Sequence, residues 1–286
     1  MVNKKNAIGC FLLFILAGIF IFAIWKGTKN HSQVDNQLQK KFDFLNNIQN
    51  KIDFFETNYI DRYISYKNNH PELSDKQIII YVNAGLDFPF YTNITFSPFL
   101  NSIYLIANKH YALDKNYVPS NLVSLNSKYN LGKNNQLVKE AKEAFENLCQ
   151  AAEKQGYHIR AISGYRSYEY QKQLYDKYVA QDGIEKADSY SARPGHSDHQ
   201  TGLAVDVSNE SVPYTSFETT NEFRWMQKNA YLYGFILRFP QGKEKITGYQ
   251  YESWHYRYVG IDIATYIQEN KVTFEEYYEM FIAKKK

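Results

Sequence analysis

Apolar residues form an uninterrupted run near the start of the chain. Residues 7–25 carry no charged side chain, and Lys4 and Lys5 precede them. This length approaches the roughly 20 residues that a helix needs to cross a bilayer. It exceeds the apolar part of a typical secretory signal, and no A-x-A-like cleavage site follows it. We therefore expect residues 7–25 to form a retained membrane anchor after a cytoplasmic segment of residues 1–6.

Beyond the anchor, the apolar positions recur at helical spacing. The intervals are three, four and seven for Leu38, Leu45, Ile48, Ile52, Phe55 and Tyr59. Such spacing predicts a helix from residue 31 to about residue 66. It is equally consistent with a stalk that pairs with a second copy as a short coiled coil and with an amphipathic helix on the following domain. We assign residues 26–105 to a helical stalk and connector, which permits a stalk-mediated homodimer.

The second half of the chain alternates between helical and strand-like patterns. Its pattern predicts helices at 136–155, 167–181, 217–233, 261–269 and 274–282, and strands at 157–163, 203–207 and 249–259. A parallel doubly wound sheet would need more regular alternation of strands and helices. We therefore expect an α+β domain over residues 106–286.

Charge and cysteine content exclude some classes of protein. The chain has 286 residues, with 33 Lys and Arg against 30 Asp and Glu, so its net charge is only +3. That balance argues against a nucleic-acid partner. Two cysteines cannot form a scaffold of several disulfides, and a chain of this length can bury a substantial core without one.

Residues suited to metal chemistry concentrate in two segments, 191–206 and 251–256. His199 and Asp206, with His255, supply two imidazoles and one carboxylate, a set typical of catalytic zinc with an open fourth position. Glu252 lies three residues before His255 and could take a proton from a bound water. By spacing alone, His196 and His199 form an alternative ligand pair, which would leave Asp206 as an ordinary carboxylate at a strand end.

Three motifs together resemble a known family. They are SGYRS at 163–167, S-x-H-x-x-G-x-A-x-D at 197–206 and E-x-W-H at 252–255. In this order they are similar to the VanY-like D-alanyl-D-alanine carboxypeptidases, which are zinc D,D- and L,D-carboxypeptidases of bacterial cell-wall peptides. The resemblance covers approximately residues 106–282. It implies a hedgehog/D,D-peptidase-type fold with a small antiparallel sheet flanked by helices.

The resemblance also implies a role for each matching position. His199, Asp206 and His255 match the zinc ligands, and Glu252 matches the catalytic base. His196 matches a position that is not a ligand in the family.

Three further positions match the substrate-binding side of the family's site. Arg166 matches the arginine that binds substrate and stabilises the developing oxyanion. Ser197 and Gln171 match polar positions that line the cleft.

The expected function is therefore removal of a terminal D-alanine from peptidoglycan stem peptides by a zinc carboxypeptidase. Such a substrate places the catalytic domain outside the cytoplasm, on a single-pass membrane protein. An L,D-carboxypeptidase, an endopeptidase and a non-catalytic wall-binding module on the same fold remain alternatives. A serine peptidase is not favoured, because no S-x-x-K motif is present.

Overall fold

The computed structural model describes residues 39–132 and 135–285, apart from positions 42, 46, 47 and 49–51. The chain divides into two compact units, and the boundary lies between Asp87 and Phe88. The predicted membrane anchor at residues 7–25 lies outside the described residues. Among the helices that are described, none has the length and apolar character needed to cross a bilayer.

The regular secondary structure described in the first unit is helical. Residues 39–41, 43–45 and 48 are helical. After a 3-10 turn at Thr57–Tyr59 come α1 (Ile60–Asn69) and α2 (Asp75–Asn83). The helix α2 begins with a capping box, in which Ser74 and Gln77 satisfy each other's backbone N–H groups.

The prediction of one helix from residue 31 to about residue 66 is wrong at residues 52–56, which are not helical. Two backbone groups of this segment bond to side chains of the helices that follow. Asn83 donates to the Phe54 carbonyl at 2.8 Å, and the Glu56 N–H donates to the Tyr63 hydroxyl at 3.2 Å. Periodicity does not report such tertiary bonds, so the apolar spacing alone could not reveal the break.

The second unit contains eight described strands, which form three sheets. The strands are β1 (Thr95–Phe96), β2 (Tyr111–Ala112), β3 (Leu122–Ser124), β4 (Gln136–Val138), β5 (Arg160–Ser163), β6 (Ala204–Ser208), β7 (Phe235–Leu237) and β8 (His255–Tyr258). The central sheet is antiparallel, with the order β5-β6-β8-β7. The strands β1 and β2 pair in parallel, and β3 and β4 pair antiparallel.

Helices flank this sheet, which confirms the predicted α+β class. They are α3 (Lys139–Glu153), α4 (Tyr168–Asp182), α5 (Ile184–Tyr190), α6 (Asn221–Asn229), α7 (Glu244–Thr247), α8 (Ile261–Asn270) and α9 (Phe274–Phe281). The main core forms where the apolar face of α3, including Phe145 and Leu148, meets Val205 and Val207 of β6. Burial of these side chains supplies much of the driving force for folding.

Several boundaries differ from the predicted ones, and strand pairing explains the first of these differences. The predicted helix at 136–155 begins only at Lys139, since Gln136–Val138 pairs with β3. Of the predicted strand at 249–259, only His255–Tyr258 is extended. The predicted helix at 217–233 is divided by non-helical Thr220.

The second unit also begins earlier than residue 106, at which the sequence analysis starts the catalytic domain. It includes residues from Phe88 onward. One reason is that β1 pairs with β2, which places residues 95 and 96 within this unit. Two-residue strands leave no detectable periodicity.

Candidate active site

The pairing of two central strands brings two of the candidate ligands together. In the antiparallel register of β6 and β8, Asp206 lies directly opposite His255. Directly opposed residues project their side chains from the same face of a sheet and are close neighbours. The strand register therefore joins two residues that are distant in sequence.

A tight 3-10 turn at Asp198–Thr201 positions the third candidate, His199. The turn ends at Gly202, whose φ of 68° lies in the left-handed region. A Cβ at this position would also approach a methyl of Leu122 to 2.9 Å. Glycine in the S-x-H-x-x-G-x-A-x-D motif is therefore required by both the turn and the packing.

The SGYRS motif orients the His199 ring. The Nδ1 atom of His199 lies 2.7 Å from the carbonyl oxygen of Gly164, so Nδ1–H donates and the Nε2 lone pair is left for a ligand. Gly164 itself passes close to β4, where a Cβ would come within 2.5 Å of the Gln136 carbonyl oxygen. This close approach explains the glycine of the motif.

The side chains of His199, Asp206 and His255 lie together as candidate ligands of one metal ion, and we refer to these three residues as the metal cluster. One ligand atom from each residue lies within 4.8 Å of the others, and all three side chains are buried. Asp206 Oδ2 is 3.2 Å from His199 Nε2, and Asp206 Oδ1 is 3.4 Å from His255 Nδ1. Within the described residues, His199 Nε2 and Asp206 Oδ1 have no hydrogen-bond partner. Buried polar atoms are rarely left unpaired, and this donor set fits a zinc ion.

The electrostatics of the cluster favour metal binding. Burial opposes ionisation of Asp206, but His199 and Arg166 outweigh it and hold its pKa below the ordinary carboxyl range. Burial lowers the pKa of His199, with Arg166 acting in the same direction, which favours the neutral imidazole that a metal requires. Burial also opposes the charged form of His255, yet Asp198 and Glu252 raise its pKa to about 9. A cation at this position would displace that proton.

The candidate base, Glu252, lies beside the cluster. Its Oε2 atom is 3.2 Å from His255 Nδ1. Glu252 lies in the irregular segment before β8. The backbone of this segment is fixed by a 3.1 Å hydrogen bond from the Glu252 N–H to the Phe239 carbonyl. Burial raises the pKa of the Glu252 carboxyl above its ordinary value. A raised pKa suits a carboxylate that accepts and returns a proton near neutral pH.

Arg166 approaches the cluster from the end of β5. Its guanidinium pairs with Asp206, and its Nε donates to Ser163 Oγ at 2.9 Å. About 21% of the side chain remains accessible, so a bound molecule could also reach it. The following residue, Ser167, caps α4 by accepting from the Tyr170 N–H, which confirms the predicted helix start.

These residues open into a cleft of about 360 Å³, which Ser197 and Gln171 also line. Gln171 donates to the Ala192 carbonyl at 2.8 Å, while its buried Oε1 has no partner among the described residues. Tyr214 and Trp254 form part of the wall and pack edge to face, with ring centroids 5.3 Å apart. All seven predicted site residues therefore lie along one cleft.

The structure separates His196 from the metal cluster. Its Nδ1 lies 2.7 Å from the carbonyl oxygen of Asn108, and its ring packs edge to face against Tyr91. His196 lines the cleft but is not a member of the three-residue cluster. The geometry thus favours His199 with Asp206 over the alternative H-x-x-H pair.

Two features of the site were missed by the sequence analysis. One is Asp198, whose Oδ2 lies 3.6 Å from His255 Nε2. Its position next to His199 in the motif could have indicated a role at the site. A charged side chain in a turn is usually exposed, however, so the sequence did not suggest that Asp198 is buried. The other is Tyr214, which packs against Trp254 and belongs to no motif.

Comparison with known proteins gives a consistent result. The family model VanY, D-alanyl-D-alanine carboxypeptidase, matches residues 134–261. YodJ of Bacillus subtilis (strain 168), named as a carboxypeptidase, is 46% identical over 184 residues, which cover 62% of this chain and 67% of YodJ. The residues matched by the family model, 134–261, contain all seven predicted site residues.

Two solved structures resemble this chain over about two thirds of its length or slightly less. The LdcB LD-carboxypeptidase has 43% sequence identity and a TM-score of 0.60, covering 66% of this chain and 91% of that one. A vancomycin-resistance D,D-pentapeptidase, a VanY variant in complex with Zn(II), has 32% identity and a TM-score of 0.53, covering 61% and 97%. The first is described as an L,D-enzyme and the second as a D,D-enzyme, so the fold is shared by both specificities.

Proposed function

Because the chain belongs to the VanY family of D-alanyl-D-alanine carboxypeptidases, we propose that it removes the C-terminal D-alanine from peptidoglycan stem peptides in a zinc-dependent reaction. The observation that carries this proposal is the buried His199–Asp206–His255 cluster with Glu252 beside it. A cluster with a ligand or the base missing would instead have suited a wall-binding module.

In this proposal the cluster holds one zinc ion. When bound, zinc lowers the pKa of a coordinated water to about 7 and polarises the scissile carbonyl. His199 would hold the ion through Nε2, since its Nδ1 donates to the Gly164 carbonyl, and His255 would hold it through Nδ1, which faces Asp206.

Glu252 acts as the proton carrier. Its carboxylate lies close to the cluster without being one of the three ligands, so it can take a proton from the attacking water. The same group then delivers that proton to the nitrogen of the departing D-alanine. This transfer avoids expulsion of an unprotonated amine.

Arg166, Ser197 and Gln171 supply the polar contacts to substrate. The partly accessible guanidinium of Arg166 is placed to stabilise negative charge that develops on the carbonyl oxygen. Ser197 and Gln171 line the same cleft and can hydrogen-bond to the peptide. A free carboxylate at the end of the substrate requires a cationic or amide donor. The accessible guanidinium of Arg166 is such a donor, which favours an exopeptidase.

A second candidate is L,D-carboxypeptidase activity. The similarity to the LdcB LD-carboxypeptidase, at 43% identity, favours it. The two activities differ in whether the residue before the terminal D-alanine has D or L configuration. Both use the same metal and the same base.

The decisive experiment incubates the zinc-loaded full chain, in detergent, with defined pentapeptide and tetrapeptide stems and weighs the products. We expect the pentapeptide to lose one alanine. Loss of alanine from the tetrapeptide alone would establish the L,D-activity instead. Internal fragments would indicate an endopeptidase, and an intact substrate would support a wall-binding module.

We also propose that the protein is held in the cell membrane by residues 7–25, with the second unit outside the cytoplasm. The uncharged run and the extracytoplasmic substrate support this arrangement. The protein should remain with membranes after a high-salt wash and keep its N-terminus. A shortened, freely released chain that starts near residue 26 would show that the run is a cleaved signal.

We also propose that two stalks pair in a homodimer through the apolar positions between residues 38 and 48, which precede the break at residues 52–56. Sedimentation of the detergent-solubilised chain should then give the mass of two copies. The mass of one copy would favour the amphipathic-helix alternative.

A further inference from the structure

A second group of buried charges adjoins the metal cluster, and the proposed chemistry does not use it. Asp198, Arg238, Arg257 and Glu275 are each at most 4% exposed, and we refer to them as the buried ion network. Arg257 pairs with Asp198. Arg238 donates two hydrogen bonds to Glu275, of 2.9 and 2.6 Å. Charges buried this deeply are retained only when they are paired.

The network meets the metal cluster at Asp198. Its Oδ2 lies 3.6 Å from His255 Nε2 and 3.7 Å from Arg238 Nε. Within the described residues, neither Asp198 Oδ2 nor His255 Nε2 has a hydrogen-bond partner, and both are shielded from solvent. A proton on Nε2 would satisfy both atoms at once. The two unpaired atoms therefore complement each other.

The other nitrogen of the His255 ring, Nδ1, faces the remaining residues of the active site. His255 Nδ1 is 3.4 Å from Asp206 Oδ1 and 3.2 Å from Glu252 Oε2. A neutral imidazole carries one proton, so a proton held at Nε2 leaves the Nδ1 lone pair free. Metal-binding histidines commonly donate the other ring N–H to a carboxylate or a carbonyl, which fixes the tautomer and the ring orientation.

We propose that Asp198 is a positioning residue that accepts the Nε2–H of His255 and thereby directs Nδ1 to the metal. Arg257 and Arg238 hold the Asp198 carboxylate in place. This inference rests on the proposed zinc site. The other histidine ligand is oriented differently, because the Gly164 carbonyl receives the Nδ1–H of His199.

A matched pair of variants of the full chain tests this role. Asp198→Asn and Glu275→Gln each remove one negative charge from the same network, but only Asp198 faces His255. We expect Asp198→Asn to weaken zinc binding about 10–100-fold, measured by competition with a chelator. It should also change the visible absorption spectrum of the cobalt-substituted protein, which reports on ligand geometry. Glu275→Gln should keep the wild-type affinity and spectrum even if it unfolds at a lower temperature. Equal changes in both variants, or none in Asp198→Asn, would overturn the proposal.

A second measurement needs no variant, in case Asp198→Asn does not fold. In the zinc-loaded wild-type chain with ¹⁵N-labelled histidine, NMR should show the His255 proton on Nε2. A proton on Nδ1 would contradict the proposed role.

His199→Ala separates this inference from the zinc site itself. If His199→Ala fails to weaken zinc binding, the zinc site is wrong. If it weakens binding and Asp198→Asn does not, only the positioning role is wrong.

Discussion

Two clusters of polar side chains differ in how far their atoms are paired. The metal cluster keeps His199 Nε2 and Asp206 Oδ1 without hydrogen-bond partners in the described part of the chain. The lysine cluster consists of Lys109, Asp188, Arg193, Tyr91 and Tyr249. Lys109 donates to the Asp188 carbonyl at 2.6 Å, and Arg193 binds the Asp188 carboxylate at 2.8 and 3.0 Å.

Aromatic rings complete the lysine cluster. The Lys109 ammonium lies 4.6 Å from the ring centre of Tyr249, and the Arg193 guanidinium lies 4.1 Å from that of Tyr91. Such contacts compensate partly for burying a cation. Polar groups whose hydrogen bonds are satisfied within the protein join segments of the chain, whereas unpaired polar groups remain able to bind a metal ion. Substitutions in the metal cluster should therefore affect chemistry, and substitutions in the lysine cluster should affect stability.

The largest effect should follow Glu252→Gln. The substitution keeps size and hydrogen-bonding shape but removes the proton acceptor. Loss of a general base typically lowers the rate about 10²–10⁴-fold. Turnover of a stem peptide should fall by this amount while the zinc content, measured by atomic emission, stays near one per chain.

Two histidine variants provide the controls for that experiment. His255→Ala should lose both zinc and activity, because only three side chains form the cluster. His196→Ala should keep its zinc. An active Glu252→Gln protein, or zinc loss in His196→Ala with retention in His255→Ala, would overturn the assignment.

A smaller loss should follow Arg166→Lys. Lysine keeps the charge but not the planar fork that donates to both Asp206 and a substrate oxygen. Removing one donor to a developing oxyanion costs about 10²–10³-fold in kcat. Steady-state kinetics on a stem peptide measure this loss. Arg193→Lys in the lysine cluster makes the same chemical change and should lower the melting temperature while retaining activity. Comparable losses of kcat in Arg166→Lys and Arg193→Lys would contradict the assignment of chemistry to one cluster and of stability to the other.

The smallest expected effect concerns the pH dependence of stability at Lys109. Burial lowers the pKa of Lys109 to about 8, whereas an unfolded lysine titrates near 10.4. Between these values the unfolded chain binds more protons than the folded chain, so this group makes the protein more stable as the pH rises. The gain from pH 7 to pH 10 should be on the order of 2 kcal/mol.

Lys109→Met removes the titrating group and provides the reference. Because both proteins carry the same metal cluster, its own pH dependence cancels in the difference between their free energies of unfolding. In denaturant titrations, the free energy of unfolding of the wild type relative to that of the variant should be larger at pH 10 than at pH 7. If the difference in free energy of unfolding between the two proteins is the same at both pH values, the pKa of Lys109 is not lowered in the folded state.

Local signals in the sequence predicted much of the fold. Ser167 and Gly183 bound α4 as cap and terminator, and the apolar face of α3 was visible from its spacing. Helix caps and periodicity act within a few residues, so a linear pattern records them. The prediction was wrong at residues 136–138, 52–56 and 249–254, where strand pairing or tertiary hydrogen bonds determine the backbone.

The sequence by itself determined which side chains can bind a metal, since imidazole, carboxylate and base each depend on residue type. It also determined where the backbone must turn, through glycines such as Gly202. Tertiary structure alone decided that Asp206 lies opposite His255, and that Asp198 reaches the far nitrogen of the same ring. The physical reason is that these contacts join strands and turns far apart in the chain, and their register follows from packing the whole sheet against its helices.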